Sequence, residues 1–211
     1  MVKYLLPHID DIPETIILAD GEYPENPLVL ALLDACPYIV CCDGAANQYI
    51  NSQRIPAAIV GDGDSLLPEI KEKYPSLIYH EAEQDTNDLS KAFRFCISQN
   101  RKNILILGAT GKREDHTLGN ISLLTDYMES AQVEMITNYG IFTPIKEDTL
   151  FQSYPGQQVS IFNMGSTALS GQGLVYPLSV FTNWWQGTLN EASANSFSIH
   201  TQGKVLVFRA F

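Results

Sequence analysis

Positive charge is scarce in this chain: 13 Lys and Arg stand against 24 Asp and Glu in 211 residues, a formal net charge of −11. A field of that sign repels duplex nucleic acid and anionic membrane surfaces, so neither is expected as a partner. A small polyanion meets the same repulsion, and a phosphate site here has to bring divalent cations or a local cluster of Lys and Arg. Cysteine is also sparse. Cys36, Cys41, Cys42 and Cys96 form no CxxC pair and no zinc-type spacing. Reduced thiols are expected, with Cys41 and Cys42 packed as small hydrophobes in the apolar run before Asp43. No segment reaches the roughly 18 to 20 apolar residues of a membrane span. Met1 to Asp11 lacks the basic stretch and apolar run of a secretory leader, so a cytoplasmic protein is expected. Low-complexity tracts and internal repeats are missing as well.

With 45% apolar residues the chain has the composition of an ordinary globular protein and enough length for one large domain or two small ones. Short apolar runs at Thr15–Ala19, Tyr38–Cys42, Ala57–Val60, Leu77–Tyr79, Asn103–Leu107 and Val133–Ile136 read as strands. Segments of helical spacing open between them near Pro27, Ala45, Pro68, Asn87 and His116. Strand and helix in alternation predict an α/β domain with a parallel sheet. After about Asn138 the helical periodicity stops, and short alternating runs such as Gln158–Phe162 take over. The expected organisation is therefore an α/β domain over residues 1–138 and a smaller all-β domain over 139–211. Ser196–Phe211 alternates on both sides of Gln202 and Gly203, the pattern of a hairpin closing an antiparallel sheet.

Polar clusters follow successive strands, always at the carboxyl end. Asp43 and Gly44 come after the second strand, Gly61 to Ser65 after the third, and Gln84, Asp85, Thr86, Asn87 and Asp88 after the fourth. In an open parallel sheet those ends share one rim, where ligands bind. Carboxylates gathered there repel one another unless they protonate, splay into water or hold a hard cation, and Mg²⁺ suits oxygen ligands that join it to a phosphate. Taken singly each piece has a plainer reading. Gly61–Ser65 is equally a solvated turn, Asp43 a cap for the following helix, and Asp88 a charge on a first helical turn. An EF-hand fails, because Leu67 and Lys73 occupy its sixth and twelfth positions. The fifth strand leads into Gly108–His116, a glycine-bearing loop with Lys112 and Arg113 that suits an anion. It is no Walker A loop, since Ile106 stands where the first Gly belongs and Arg113 follows Lys112. Asp115 is expected to cap a helix beginning at His116, and His116 itself more often packs than reacts.

Across nearly its whole length the sequence resembles the thiamin pyrophosphokinase family. CCDGAANQYI, IVGDGDSL, EQDTNDLSKAF and LGATGKREDHTLGNISLL follow the family order of an Asp-Gly pair, GDxDS, a DQDxTD-like run and GxxGxRxDHxLxN. The last motif, with Arg113, Asp115, His116, Leu118 and Asn120 in register, is the most specific. The resemblance implies a nucleotide-binding α/β domain, a C-terminal β-sandwich, and a homodimer whose partner completes the active site. It places Mg²⁺ on Asp62, Asp64 and Asp88, with Asp43 close by. The ATP side would carry Gln84, Asp85, Asn87, Thr110, Lys112, Arg113 and Asp115. In the β domain the matching segment is Gly187–Glu191, where Thr188 and Asn190 would contact thiamin and Trp184 or Trp185 would stack on its cationic ring. Asn87 stands where the family usually has Thr, and Leu189 interrupts a Ser-Asn pair.

The implied reaction is in-line attack of the thiamin hydroxyl on the β-phosphorus of ATP with loss of AMP, Arg113 neutralising charge on the phosphate oxygens and Asp62 or Asp88 taking the proton. The competing expectations are a pyrophosphokinase for another alcohol such as a hydroxymethyl pterin, a nucleotide-binding protein without turnover, and a metal-dependent phosphohydrolase.

Overall fold

A computed structural model describes all of residues 1–211. Its first strand, β1 (Val2–Tyr4), pairs in parallel with β9 (Thr149–Gln152), and the chain divides into two units. One is Ile9–Asn138 and the other joins Met1–His8 to Tyr139–Phe211. The opening eight residues, expected with the α/β half, thus belong to the β unit. The reason is a side chain: Tyr4 stacks on Phe151 at 5.6 Å between ring centroids.

In Ile9–Asn138 the strands are β2 (Thr15–Leu18), β3 (Ile39–Cys42), β4 (Ala58–Gly61), β5 (Ile78–His80), β6 (Asn103–Leu107) and β7 (Gln132–Ile136). Every residue of β2, β3 and β4 is buried, as a strand covered on both faces requires. All neighbouring pairs are parallel, in the order β7-β6-β2-β3-β4-β5. The chain builds outward from β2 to β5 and then returns to the other side of β2 with β6. That reversal makes the carboxyl ends of β2 and β6 a topological switch point.

The crossover helices are α1 (Pro27–Ala35), α2 (Ala45–Asn51), α3 (Pro68–Lys73), α4 (Asp88–Ser98) and α5 (Glu114–Tyr127). Asn26 caps α1 by accepting from the Leu28 amide, and Asn87 caps α4 by accepting from the Ser90 amide. The last helix starts two residues before the expected His116, with Arg113 in the cap position and no side-chain cap.

The second unit contains β8 (Gly140–Ile145), β9, β10 (Gln158–Asn163), β11 (Leu169–Gln172), β12 (Asn190–Glu191), β13 (Ser196–Thr201) and β14 (Val205–Ala210). Its strands run in the orders β1-β9-β13-β11 and β12-β10-β14-β8. The expected hairpin over Ser196–Phe211 is therefore absent: β13 pairs with β9 and β11, whereas β14 pairs with β8 and β10. Gln202 to Lys204 carry the chain from one sheet to the other. Phe197 and Ile199 of β13 and Val205 and Val207 of β14 enter one apolar cluster with Phe151, Val159 and Ile161. Phe151 is central there, fully buried and stacked on Phe197 at 5.0 Å.

Phe151→Ala is expected to lower unfolding stability by about 3–5 kcal/mol, the cost of an emptied aromatic core site. Urea denaturation of the variant against the parent chain measures it.

Candidate active site

Asp43 leaves the end of β3 and turns inward. It is 2% exposed; one carboxylate oxygen accepts from the Ser65 amide at 3.0 Å, and the other is buried with no hydrogen-bond partner. It does not cap α2, whose cap position is held by Gly44. Gly61 makes room for it, since a Cβ there would lie 2.7 Å from the Asp43 Cβ. The loop after β4 brings up Asp62 and Asp64, with Asp62 accepting the Asp64 amide at 3.1 Å and the Ser65 hydroxyl donating to Asp64 at 2.9 Å. Carboxylate oxygens of Asp43, Asp62 and Asp64 all lie within 4.8 Å of one another. Gln84, from the segment after β5, donates to the second oxygen of Asp62 at 2.9 Å. Asp88 opens α4 and receives the buried Lys91 ammonium at 3.1 Å. The tight triad is thus Asp43–Asp62–Asp64, with Asp88 beside it and already paired.

The loop after β6 turns through three residues of positive φ, Gly108 (64°), Gly111 (74°) and Lys112 (58°). Lys112 reaches across to Asp20, after β2, meeting both its backbone oxygen and its carboxylate at 2.9 Å. Asn120 of α5 donates to the Ala109 carbonyl and accepts from Asn87, tying the start of α4 and the middle of α5 to this loop. These loops enclose a cleft of about 380 Å³. Of the expected residues, Asp62, Asp64, Gln84, Asn87, Asp88, Lys112, Arg113 and His116 line it. Asp43, Asp85, Thr110 and Asp115 do not. The Thr110 carbonyl is held by the Glu22 amide, the Asp85 amide by Glu83, and Asp115 turns to Arg113 at 2.6 Å.

Asp20, Gly21 and Lys91 line the cleft without having been singled out from the sequence. For Asp20 the signal was present, because it follows an apolar strand as Asp43 and Asp62 do. Lys91 gave none, being one helical lysine among ordinary neighbours.

The electrostatics follow from burial and contact. Burial pushes Asp43 up to about 6, and the nearby Asp88 and Asp64 carboxylates add to the rise. Asp62 is held below the usual carboxylate range, first by Gln84 and then by the Asp64 amide. Asp115 is held at about 2 by Arg113. An oxygen-only donor set with one buried, partnerless carboxylate oxygen fits a hard divalent cation.

In the β unit, Trp184 and Trp185 sit on a short 3₁₀ turn, Trp184–Gly187. Neither is core: Trp184 is 44% exposed, edge-on to Phe162, and Trp185 is 73% exposed. The Thr188 hydroxyl donates to the Trp185 carbonyl. Asn190 is buried, with its amide clasping the backbone of Tyr176 from both ends. Leu189 stands out at 77% exposure with φ of 61°.

A family model described as "Thiamin pyrophosphokinase, catalytic domain" matches residues 29–137, and one described as "Thiamin pyrophosphokinase, substrate-binding domain" matches residues 140–208. Thiamine pyrophosphokinase 1 of Oryza sativa subsp. japonica is 31% identical over 168 residues, covering 66% of this chain and 64% of its own. Thiamine pyrophosphokinase of Bacillus subtilis is 39% identical over 112 residues, covering 51% and 52%. The alignments thus span less than two thirds of these relatives' lengths. Among solved structures, thiamin pyrophosphokinase from Candida albicans superposes with a TM-score of 0.79 at 18% identity, over 100% of this chain and 92% of that one. The Bacillus subtilis thiamine pyrophosphokinase structure gives 0.77 at 22% identity, over 93% and 98%. At such identities the likeness establishes a shared fold.

Because the folded Asp43 carboxyl titrates near 6 and its unfolded counterpart near 4, the folded state binds more protons between those values. Cation-free stability is therefore expected to fall as pH rises through that window. Asp43→Asn should remove the fall, leaving the cation-free variant more stable than the parent above about pH 6, by on the order of 2 kcal/mol. Added Mg²⁺ should raise the melting temperature of the parent more at about pH 7.5 than at about pH 5, and raise that of the variant little at either. Thermal melts with chelator or with Mg²⁺ test both expectations.

Proposed function

The chain belongs to the thiamin pyrophosphokinase family, and on that premise we propose that it transfers the diphosphate of ATP to the hydroxyl of thiamin, releasing AMP. The observation that supports this most is the cleft at the switch point, lined by Asp62 and Asp64, whose carboxylate oxygens lie within 4.8 Å of one of Asp43, and by Lys112 and Arg113 from the loop after β6. In this reading Ile9–Asn138 is the nucleotide-binding domain. The two sheets of the second unit form a β-sandwich that carries thiamin.

Asp62 and Asp64, with Asp43 as the third member, would hold Mg²⁺, and Asp88 would stand beside them. Bound there, the cation would supply positive charge to offset that of the nucleotide's phosphates. Arg113 and Lys112 would offset charge on the diphosphate during transfer, Lys112 exchanging Asp20 for phosphate. Gln84 would orient Asp62 through their hydrogen bond. A proton must leave the thiamin hydroxyl. Asp62 or Asp88 would accept it.

Exposed Trp184 and Trp185 offer aromatic faces to the thiazolium cation. Asn190, engaged with Tyr176, would shape that segment. A cytoplasmic homodimer whose second copy completes the cleft belongs to the same reading, and no helix is long and apolar enough to cross a membrane.

Incubation with ATP, Mg²⁺ and thiamin should yield AMP and thiamin diphosphate in equal amounts. ADP would instead mark an ordinary kinase, and ATP loss without acceptor a hydrolase. Turnover of a hydroxymethyl pterin in place of thiamin would move the substrate assignment. Arg113→Ala should lower kcat/KM by about 10²–10³-fold, as loss of one charge-stabilising donor does, while leaving the melting temperature near that of the parent. Whichever of Trp184→Ala and Trp185→Ala raises the thiamin KM by about 5–30-fold identifies the stacking residue.

A further inference from the structure

The segment that delivers Gln84 to Asp62 is clamped from behind. Arg94, in the middle of α4, places one terminal nitrogen 3.0 Å from Glu81 and 2.7 Å from Glu83, and its other terminal nitrogen donates to the Thr86 hydroxyl at 3.0 Å. Glu83 gathers the same segment inward. Its carboxylate accepts the Asp85 amide at 2.8 Å, the Thr86 amide at 3.1 Å and the Thr86 hydroxyl. Gln84 lies between these anchored residues, and its side chain points the other way, to Asp62.

The physical need for such a clamp is visible in the sequence, where Glu81, Glu83 and Asp85 alternate beside an acidic rim. Without a cation these charges repel one another and push the segment outward. Each of the two ion pairs is partly exposed and contributes little singly. A planar guanidinium, however, fixes several acceptors in one geometry, which a lysine cannot do. Arg94 does not line the cleft.

We infer that Arg94 is a positioning residue that, through Glu83 and the backbone around Gln84, holds Asp62 in register for the nucleotide and its cation. This rests on the cleft being the ATP site.

In Arg94→Ala, amide hydrogen exchange at residues 84–86 should quicken by about 10-fold. The KM for Mg·ATP should rise by about 10-fold with the thiamin KM unchanged, because only nucleotide placement is disturbed. Glu83→Gln should reproduce the pattern, and Arg94→Lys, which keeps the charge without the fork, should not restore parental affinity. In a Gln84→Ala background the added Arg94→Ala change should alter that KM less than about 2-fold. The inference is overturned by unchanged exchange and KM in Arg94→Ala, by full rescue with Lys, or by an undiminished effect in the Gln84→Ala background. Affinity for a non-hydrolysable ATP analogue gives the same comparison without turnover. If the parent chain binds the analogue yet makes no thiamin diphosphate, the proposed reaction fails while the role of Arg94 is still decided.

Discussion

Repulsion among carboxylates is the constraint around which the α/β unit is arranged. Adjacent parallel strands lie about 4.8 Å apart, so acidic residues leaving the ends of β3 and β4 cannot avoid one another. Two unit charges at 4 Å cost about 1 kcal/mol in water and about 4 kcal/mol near a protein surface. Asp43 feels this most, being buried beside Asp64 and Asp88 with one oxygen lacking any donor. Gly61 admits that crowding because it brings no Cβ against Asp43 and Asp88, and Gly44 leaves the same room for Asp20 and Ser65.

Several of the remaining acids have a counterweight of their own. Gln84 donates to Asp62, Lys91 to Asp88, Lys112 to Asp20, and Arg94 to Glu81 and Glu83. In a chain with 13 basic residues, setting Lys91, Lys112, Arg113 and Arg94 in or around one cleft is a concentrated use of positive charge. These partners differ in permanence. Lys91 is buried against Asp88 and will stay, whereas the Lys112–Asp20 pair is more than half exposed on both sides and exchanges readily with a stronger anion. A rim built this way combines a fixed buried ion pair with an exposed one that can exchange.

The strands and the acidic rim were legible because they rest on local rules. TIIL, IVCC and AIVG read as two-sided strands, and the polar residues at their ends converge through the parallel topology alone. Long-range choices were not legible. The period-two pattern of Ser196–Thr201 and Val205–Ala210 is identical whether the two strands bond to each other or to different neighbours, and here they bond to different neighbours while sharing one apolar cluster. Nothing local in Val2–Tyr4 points to β9, since its place is set by a ring contact with a residue far along the chain. Asp85, Thr110 and Asp115 illustrate a third limit: membership of a motif places the backbone near a site without deciding where a side chain turns.

The departure at residue 87 has a structural account. A Thr there would cap α4 through its hydroxyl, and Asn87 performs that task with its carbonyl oxygen on the Ser90 amide. Its remaining amide nitrogen then bonds Asn120, whose own nitrogen holds the Ala109 carbonyl at the head of the loop after β6. A threonine would have to make both bonds from one shorter-reaching oxygen. The substitution therefore preserves the helix start and adds a link from α4 through α5 to the loop carrying Lys112, so that the acidic and basic sides of the cleft are braced by the same residue.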